Sequence, residues 1–118
     1  MAHPYCIDPP EAVNMRPLEH KKLLMVIAPS ELQALVVKTA RHRGVGGYTI
    51  VPATGAGESG LRSGMLNSDS NVVIYIIMSE SRLLKVLEDL DALMSVGHRL
   101  KALVSDIAIM PRKPAVPG

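Results

Sequence analysis

Three glycines, Gly55, Gly57 and Gly60, stand in the spacing GxGxxG within the stretch TGAGESGLRSG that runs from Thr54 to Gly64. Glycines so spaced let backbone amides approach a phosphate, and a helix opening at the third one then holds a pyrophosphate at its positive end. Arg62 adds a planar, fork-shaped donor suited to phosphate oxygens. The chemistry on offer is anion binding. Yet Gly60 is followed by LRSGMLNSDSN, which has no amphipathic repeat, so no helix is predicted there. A Walker A loop fails as well, because Leu61 takes the place of its lysine. What remains is either an anion-binding loop or a solvated connection between two strands. A connection of about 15 residues is long for a passive one.

Other residue types that do chemistry are scattered. His3, His20, His42 and His98 make no i, i+4 pair on a helix, as a zinc protease would need, and read as exposed histidines without a ligand. His3 and Cys6, with His20, form the alternative reading, a soft-metal site near the N-terminus. Glu58 and Asp69 share the loop, but they read first as loop solvation. Ser63 has no Gly-x-Ser-x-Gly elbow around it and reads as a hydrogen-bond donor to phosphate or loop. No catalytic set emerges, so the expectation is a protein that binds without catalysing. A small nucleotide-cleaving enzyme stands as a further alternative.

The elements that must position these residues follow from pattern. KKLLMVIAP, Lys21 to Pro29, is a strand candidate, and Ser30 with Gln33 fits a capping box for a helix over about Glu31 to Arg43. Leu32, Leu35, Val36 and Thr39 share its apolar face, and Gly44, Gly46 and Gly47 stop it. YTIVPAT contains Pro52, which cannot donate to a ladder and predicts an edge strand. NVVIYIIM is the most β-branched run and predicts a central strand. In SESRLLKVLEDLDALM, Leu83, Leu87, Leu90 and Met94 line one helix face, while Glu88, Asp89 and Asp91 stay off it. KALVSDIAIM is the last strand.

The order is βαβ, loop, βαβ. Two such units in one short chain predict an α+β, ferredoxin-like βαββαβ fold, with an antiparallel four-stranded sheet and both helices on one face. Leu23 to Ala28 and Val72 to Met78 are apolar at every position, a pattern of strands covered on both faces. The second face therefore needs a cover, and further copies of the same sheet are the expected one. Residues 1–20 read as an N-terminal arm and residues 113–118 as a C-terminal tail, both rich in proline.

Composition narrows the partners. The 118 residues are 47% hydrophobic with net charge +2, and three tyrosines without phenylalanine or tryptophan leave little surface for stacking bases. Nucleic acid is not an expected partner. LLMVIA and VVIYIIM are far shorter than the roughly 20 apolar residues of a membrane span. The N-terminus lacks the apolar core of a signal peptide and there is one cysteine, so a cytoplasmic protein is expected.

From Lys21 to Arg112 the sequence resembles the PII-like signalling proteins. KKLLMVIAP resembles their opening strand, GYTIVPATGAG their second strand and the base of their T-loop, and KALVSDIAIMPR their last strand. The resemblance implies a homotrimer joined through the open sheet face, with adenine nucleotides bound in clefts between subunits. It implies nucleotide contacts at Gly55 and Gly57 in the T-loop stem, at Thr49 beside the adenine, at Lys101 in the B-loop and at Arg112 in the C-loop. The glycine that the family's B-loop carries just before that lysine is replaced here by His98-Arg99-Leu100, with Gly97 and Arg99 together available to serve an anion, and Arg62 adds a phosphate contact.

The T-loop, about residues 55–71, has no tyrosine to modify, and Ser59 replaces the glutamine used for magnesium and 2-oxoglutarate. Arg62, Ser63, Gly64, Asp69 and Asn71 instead resemble the loop of the bicarbonate-transport and carboxysome-associated branch. That branch implies ADP, AMP or ATP as ligand, bicarbonate as a further one near Glu58, Ser59 and Ser63, and a membrane transporter as partner. No metal and no resident cofactor is expected on this reading; the alternative is a metal-responsive PII-like protein linked to metal efflux, with His3, Cys6 and His20 as ligands.

Overall fold

A computed structural model describes residues 16–54 and 70–112. Along the chain run β1 (Glu19–Pro29), a 3-10 turn (Ser30–Leu32), α1 (Gln33–His42), β2 (Thr49–Ala53), β3 (Asn71–Met78), α2 (Glu80–Ser95) and β4 (Lys101–Ile109). By its contacts the chain divides into one unit spanning Lys21–Ile107 and another made of Met1–His20 with Ala108–Gly118.

The four strands form one antiparallel sheet in the order β2-β3-β1-β4. β3 pairs with β1 on one side, with Ile74 opposite Val26, and with β2 on the other, with Ile74 opposite Ile50. The β-branched run is thus an interior strand, and β2, with Pro52, lies at an edge where a missing N–H leaves no gap in the sheet. The ferredoxin-like arrangement is the one the element order predicts.

Alternation sets the two faces. Leu24, Val26 and Ala28 of β1 and Val72, Ile74, Ile76 and Met78 of β3 are buried, in one cluster with Val36 and Ala40 of α1 and Leu83, Val86 and Leu90 of α2. Both helices therefore cover the same sheet face. Burying a side chain such as Leu24, Ile74 or Leu90 contributes about 1.5–3 kcal/mol, so this single cluster holds the layers together.

The opposite face is also apolar. Leu23 lies opposite Ile77, Met25 opposite Tyr75, and Ile27 opposite Val73, which in turn faces Val51. Ile77 is 46% exposed and Val51 42%. Within one chain nothing among the described elements is packed there in the way the helices cover the other face.

Several local expectations need correction. Ser30 does not cap α1 with its side chain; the 3-10 turn begins after Pro29 with no side-chain cap. Instead Ser30 donates its N–H to the Ser70 carbonyl at 2.9 Å, and the two hydroxyl oxygens lie 3.0 Å apart. The partner is distant in sequence, and a local pattern has no access to it.

On α1 the buried positions are Val36 and Ala40, while the Thr39 hydroxyl is spent on the Leu35 carbonyl at 2.8 Å. On α2 the stripe turns toward Val86, with Leu87 and Leu93 at its flanks, and Met94 in the last turn is 47% exposed.

The two helices end alike. Gly44 at φ +88° donates to the Arg41 carbonyl and Val45 to that of Ala40, while Gly97 at φ +105° donates to Met94 and His98 to Leu93. Each is a Schellman turn in which the glycine takes the left-handed conformation that a Cβ disfavours. Gly46 and Gly47 do not share in stopping α1: neither has a positive φ.

Among the described residues two ion pairs tie elements together. Arg43, at the end of α1, grips Asp89 of α2, and this hydrogen bond raises the guanidinium's pKa and holds the carboxyl below its ordinary range. Lys22 of β1 pairs with Asp106 of β4, and its ammonium is raised first by that hydrogen bond.

Candidate functional site

β2 and β4 are the two outer strands, and each opens on a residue expected to meet nucleotide. Thr49 is the first residue of β2, exposed, with Tyr75 of β3 across the ladder. Lys101 is the first residue of β4 and also exposed. Two whole strands, β3 and β1, separate those edges. At the usual spacing of neighbouring strands, edge to edge is roughly 14 Å. Thr49 and Lys101 of one chain therefore stand on opposite rims of the sheet.

The turn before β4 is built by the end of α2. Val96 closes the helix, Gly97 reverses the chain, Leu100 packs against the core, and Arg99 is left exposed between them. Gly97 therefore has a structural duty as a helix terminator, and no atom lies within 4 Å of where a Cβ would stand. Among the described residues neither Arg99 nor Lys101 pairs with an acid. Two exposed cations thus lie two positions apart, Arg99 in the turn and Lys101 at the start of β4.

The segment expected to form the T-loop connects β2 to β3. Ala53 at the end of β2 lies opposite Asn71 at the start of β3, and Asn71 lies opposite Pro29 of β1. The Ser30–Ser70 contacts close this end of the sheet. The other expected contacts, Gly55, Gly57, Glu58, Ser59, Arg62 and Ser63, lie outside the described residues, as do His3, Cys6 and Asp69.

Arg112 belongs to the unit of Met1–His20 with Ala108–Gly118 and is exposed. In that unit Arg16 donates from Nη1 to the carbonyls of Pro111, at 2.8 Å, and Arg112, at 2.6 Å. Arg16 escaped the sequence reading. It precedes the first strand, carries no periodic signal, and meets partners some 95 positions away.

Among the described residues no group of three or more histidine, cysteine, aspartate or glutamate side chains is placed to hold a metal ion. Nor, among them, is any helix long and apolar enough to cross a membrane.

Fold and edges together define a ferredoxin-like α+β domain with Thr49 and Lys101 exposed at opposite rims of its sheet. The family model for nitrogen regulatory protein P-II matches residues 21–110, and the chain belongs to that family. No similar sequence is found among curated proteins.

Solved structures agree with the family. One is CPII, a nitrogen regulatory PII-like protein of Thiomonas intermedia, bound to ADP and bicarbonate. It is 26% identical with a TM-score of 0.70, over 80% of this chain and 93% of that one. A second CPII structure, with ADP, AMP and bicarbonate, gives 25% identity, a TM-score of 0.68 and coverage of 80% and 92%. A PII-like signalling protein of Thermus thermophilus is 29% identical with a TM-score of 0.66, over 79% and 92%.

Proposed function

We propose that this chain is a cytoplasmic PII-like regulator that binds adenine nucleotides between copies of itself and does not catalyse. The observation that carries this reading is the placement of Thr49 and Lys101 on opposite edges of one sheet. A copy offering its β2 edge to the β4 edge of the next copy completes a site that one chain leaves in halves. The uncovered face bearing Met25, Ile27, Val73 and Tyr75 supplies the contact for a homotrimer. CPII, with ADP, AMP and bicarbonate bound, supports the same ligands here.

In this reading the nucleotide meets Thr49 with its base. Its phosphates meet the amides at Gly55 and Gly57 and the cations Arg62, Arg99, Lys101 and Arg112, with Gly97 shaping the turn beneath them. Bicarbonate is held beside Glu58, Ser59 and Ser63. Binding orders the T-loop, and the ordered loop selects a partner, an order-disorder switch. The partner is a membrane transporter for bicarbonate or another anion.

Titration calorimetry with ADP, AMP and ATP, with and without bicarbonate, tests the reading. Heat of binding with at least one nucleotide is expected, and Arg62→Ala weakens ADP by about tenfold through loss of a charge-assisted bond. No heat with any of the three overturns it.

A further inference from the structure

We infer that Arg16 is a positioning residue for Arg112, an inference that rests on the nucleotide-binding reading above. Nη1 of Arg16 accepts no proton and has two to give, and it donates to the carbonyls of Pro111 at 2.8 Å and Arg112 at 2.6 Å. These carbonyls belong to consecutive peptide planes. Each plane is rigid, and the two meet at the Cα of Arg112. Only φ and ψ of Arg112 lie between them, so tying both carbonyls to one nitrogen fixes the direction in which the Arg112 side chain leaves the backbone.

Nothing else described does that work. β4 ends at Ile109, so its ladder does not reach Arg112, and Pro111 has no N–H with which to anchor the segment. The Arg112 side chain itself is exposed, and among the described residues it pairs with no acid. A cation with its backbone held and its charge unspent is pre-organised for an anion. Arg16 spends its own hydrogen bonds on backbone and therefore acts through Arg112, without touching the ligand.

The competing role is simple fastening of the two chain ends, which would affect stability and leave phosphate recognition alone. Calorimetry with ADP and with adenosine separates the two, on the wild type, Arg16→Ala, Arg112→Ala and the double variant. ADP affinity falls about fivefold in Arg16→Ala, at least as far in Arg112→Ala, and no further in the double variant, because coupled residues are not additive. Adenosine, which has no phosphate, binds all four proteins alike. Arg16→Lys, still able to donate to carbonyls, keeps part of the ADP affinity and serves if Arg16→Ala does not fold.

Unchanged ADP affinity in Arg16→Ala beside a weakened Arg112→Ala overturns the positioning role and leaves nucleotide binding intact. So do additive losses in the double variant, or an equal loss for adenosine and ADP. A wild type that binds no nucleotide removes the function and the positioning role together.

Discussion

Arg43 holds Asp89 with two arms of its guanidinium, Nε to Oδ2 at 2.7 Å and Nη2 to Oδ1 at 2.9 Å, and so joins the end of α1 to the middle of α2. The hydrogen bond lowers the Asp89 pKa. A carboxyl with a lower pKa folded than unfolded takes up protons more readily when unfolded, so its contribution is full at neutral pH. It is lost as pH falls from the ordinary aspartate value, about 3.9, through the lowered one. Asp89→Asn should therefore melt a few degrees below wild type at pH 7 and converge with it in strong acid. Melting curves across pH check this, and a gap that stays constant down to low pH contradicts it. Arg43→Lys should recover little, since an ammonium cannot match both oxygens.

The paired Schellman turns give a comparison between two glycines. Gly97→Ala meets only open space, so its cost, about 1 kcal/mol, is that of backbone strain at φ +105°. Asparagine, which tolerates that conformation better, should cost less there. Gly44→Ala carries similar strain, and its new Cβ stands 3.2 Å from the Nε of Arg82, a flexible arm that can swing aside. Urea denaturation should rank Gly97→Asn above Gly97→Ala and place Gly44→Ala near the latter. A Gly44→Ala variant that fails to fold would show that Arg82 is not free to move.

The two sheet faces respond differently to damage. Ile74 is fully buried, and Ile74→Ala should cost about 2–5 kcal/mol wherever it is measured. Ile27→Glu places a charge on the opposite face, in the row of Val51 and Val73. It should leave the helix-covered core folded but reduce the native mass to that of one chain. Light scattering with circular dichroism decides, and an Ile27→Glu protein that keeps the wild-type mass rejects assembly through this face.

Subunit mixing tests the divided site. Thr49→Trp obstructs the β2 edge and Lys101→Glu reverses the charge of the β4 edge, so each variant alone should bind ADP at least about tenfold more weakly. Co-refolded together, they should regain wild-type affinity at a minority of sites, where two undamaged edges meet. Absence of any high-affinity fraction in the mixture argues for a site within one chain.

Much of the architecture was legible because it is local. The β-branched run Val72–Met78 declared an interior strand, Pro52 declared an edge, and the uninterrupted apolar runs announced that the second sheet face is also apolar. The errors share a cause. Ser30 fits a local cap, but its bonds go to Ser70, and the Arg16 clamp joins residues near the two ends of the chain. Met94 obeys helical spacing, yet it falls in the last turn of α2 and is left half exposed. For the site, sequence placed Thr49 and Lys101 at strand starts, but only the sheet order reveals that they occupy opposite rims.

Ala53 and Asn71 are neighbours across a ladder, so the chain leaves the sheet and returns to it at almost the same point. The rest of the fold is indifferent to how many residues make that excursion: doubling its length adds only about 0.6 kcal/mol of closure entropy. Segment 55–69 can therefore diverge, lengthen or be exchanged between relatives without rebuilding the sheet beneath it. Under the function proposed above, in which this segment selects the partner, partner choice becomes a transplantable property, carried by a cassette on a scaffold that need not change with it.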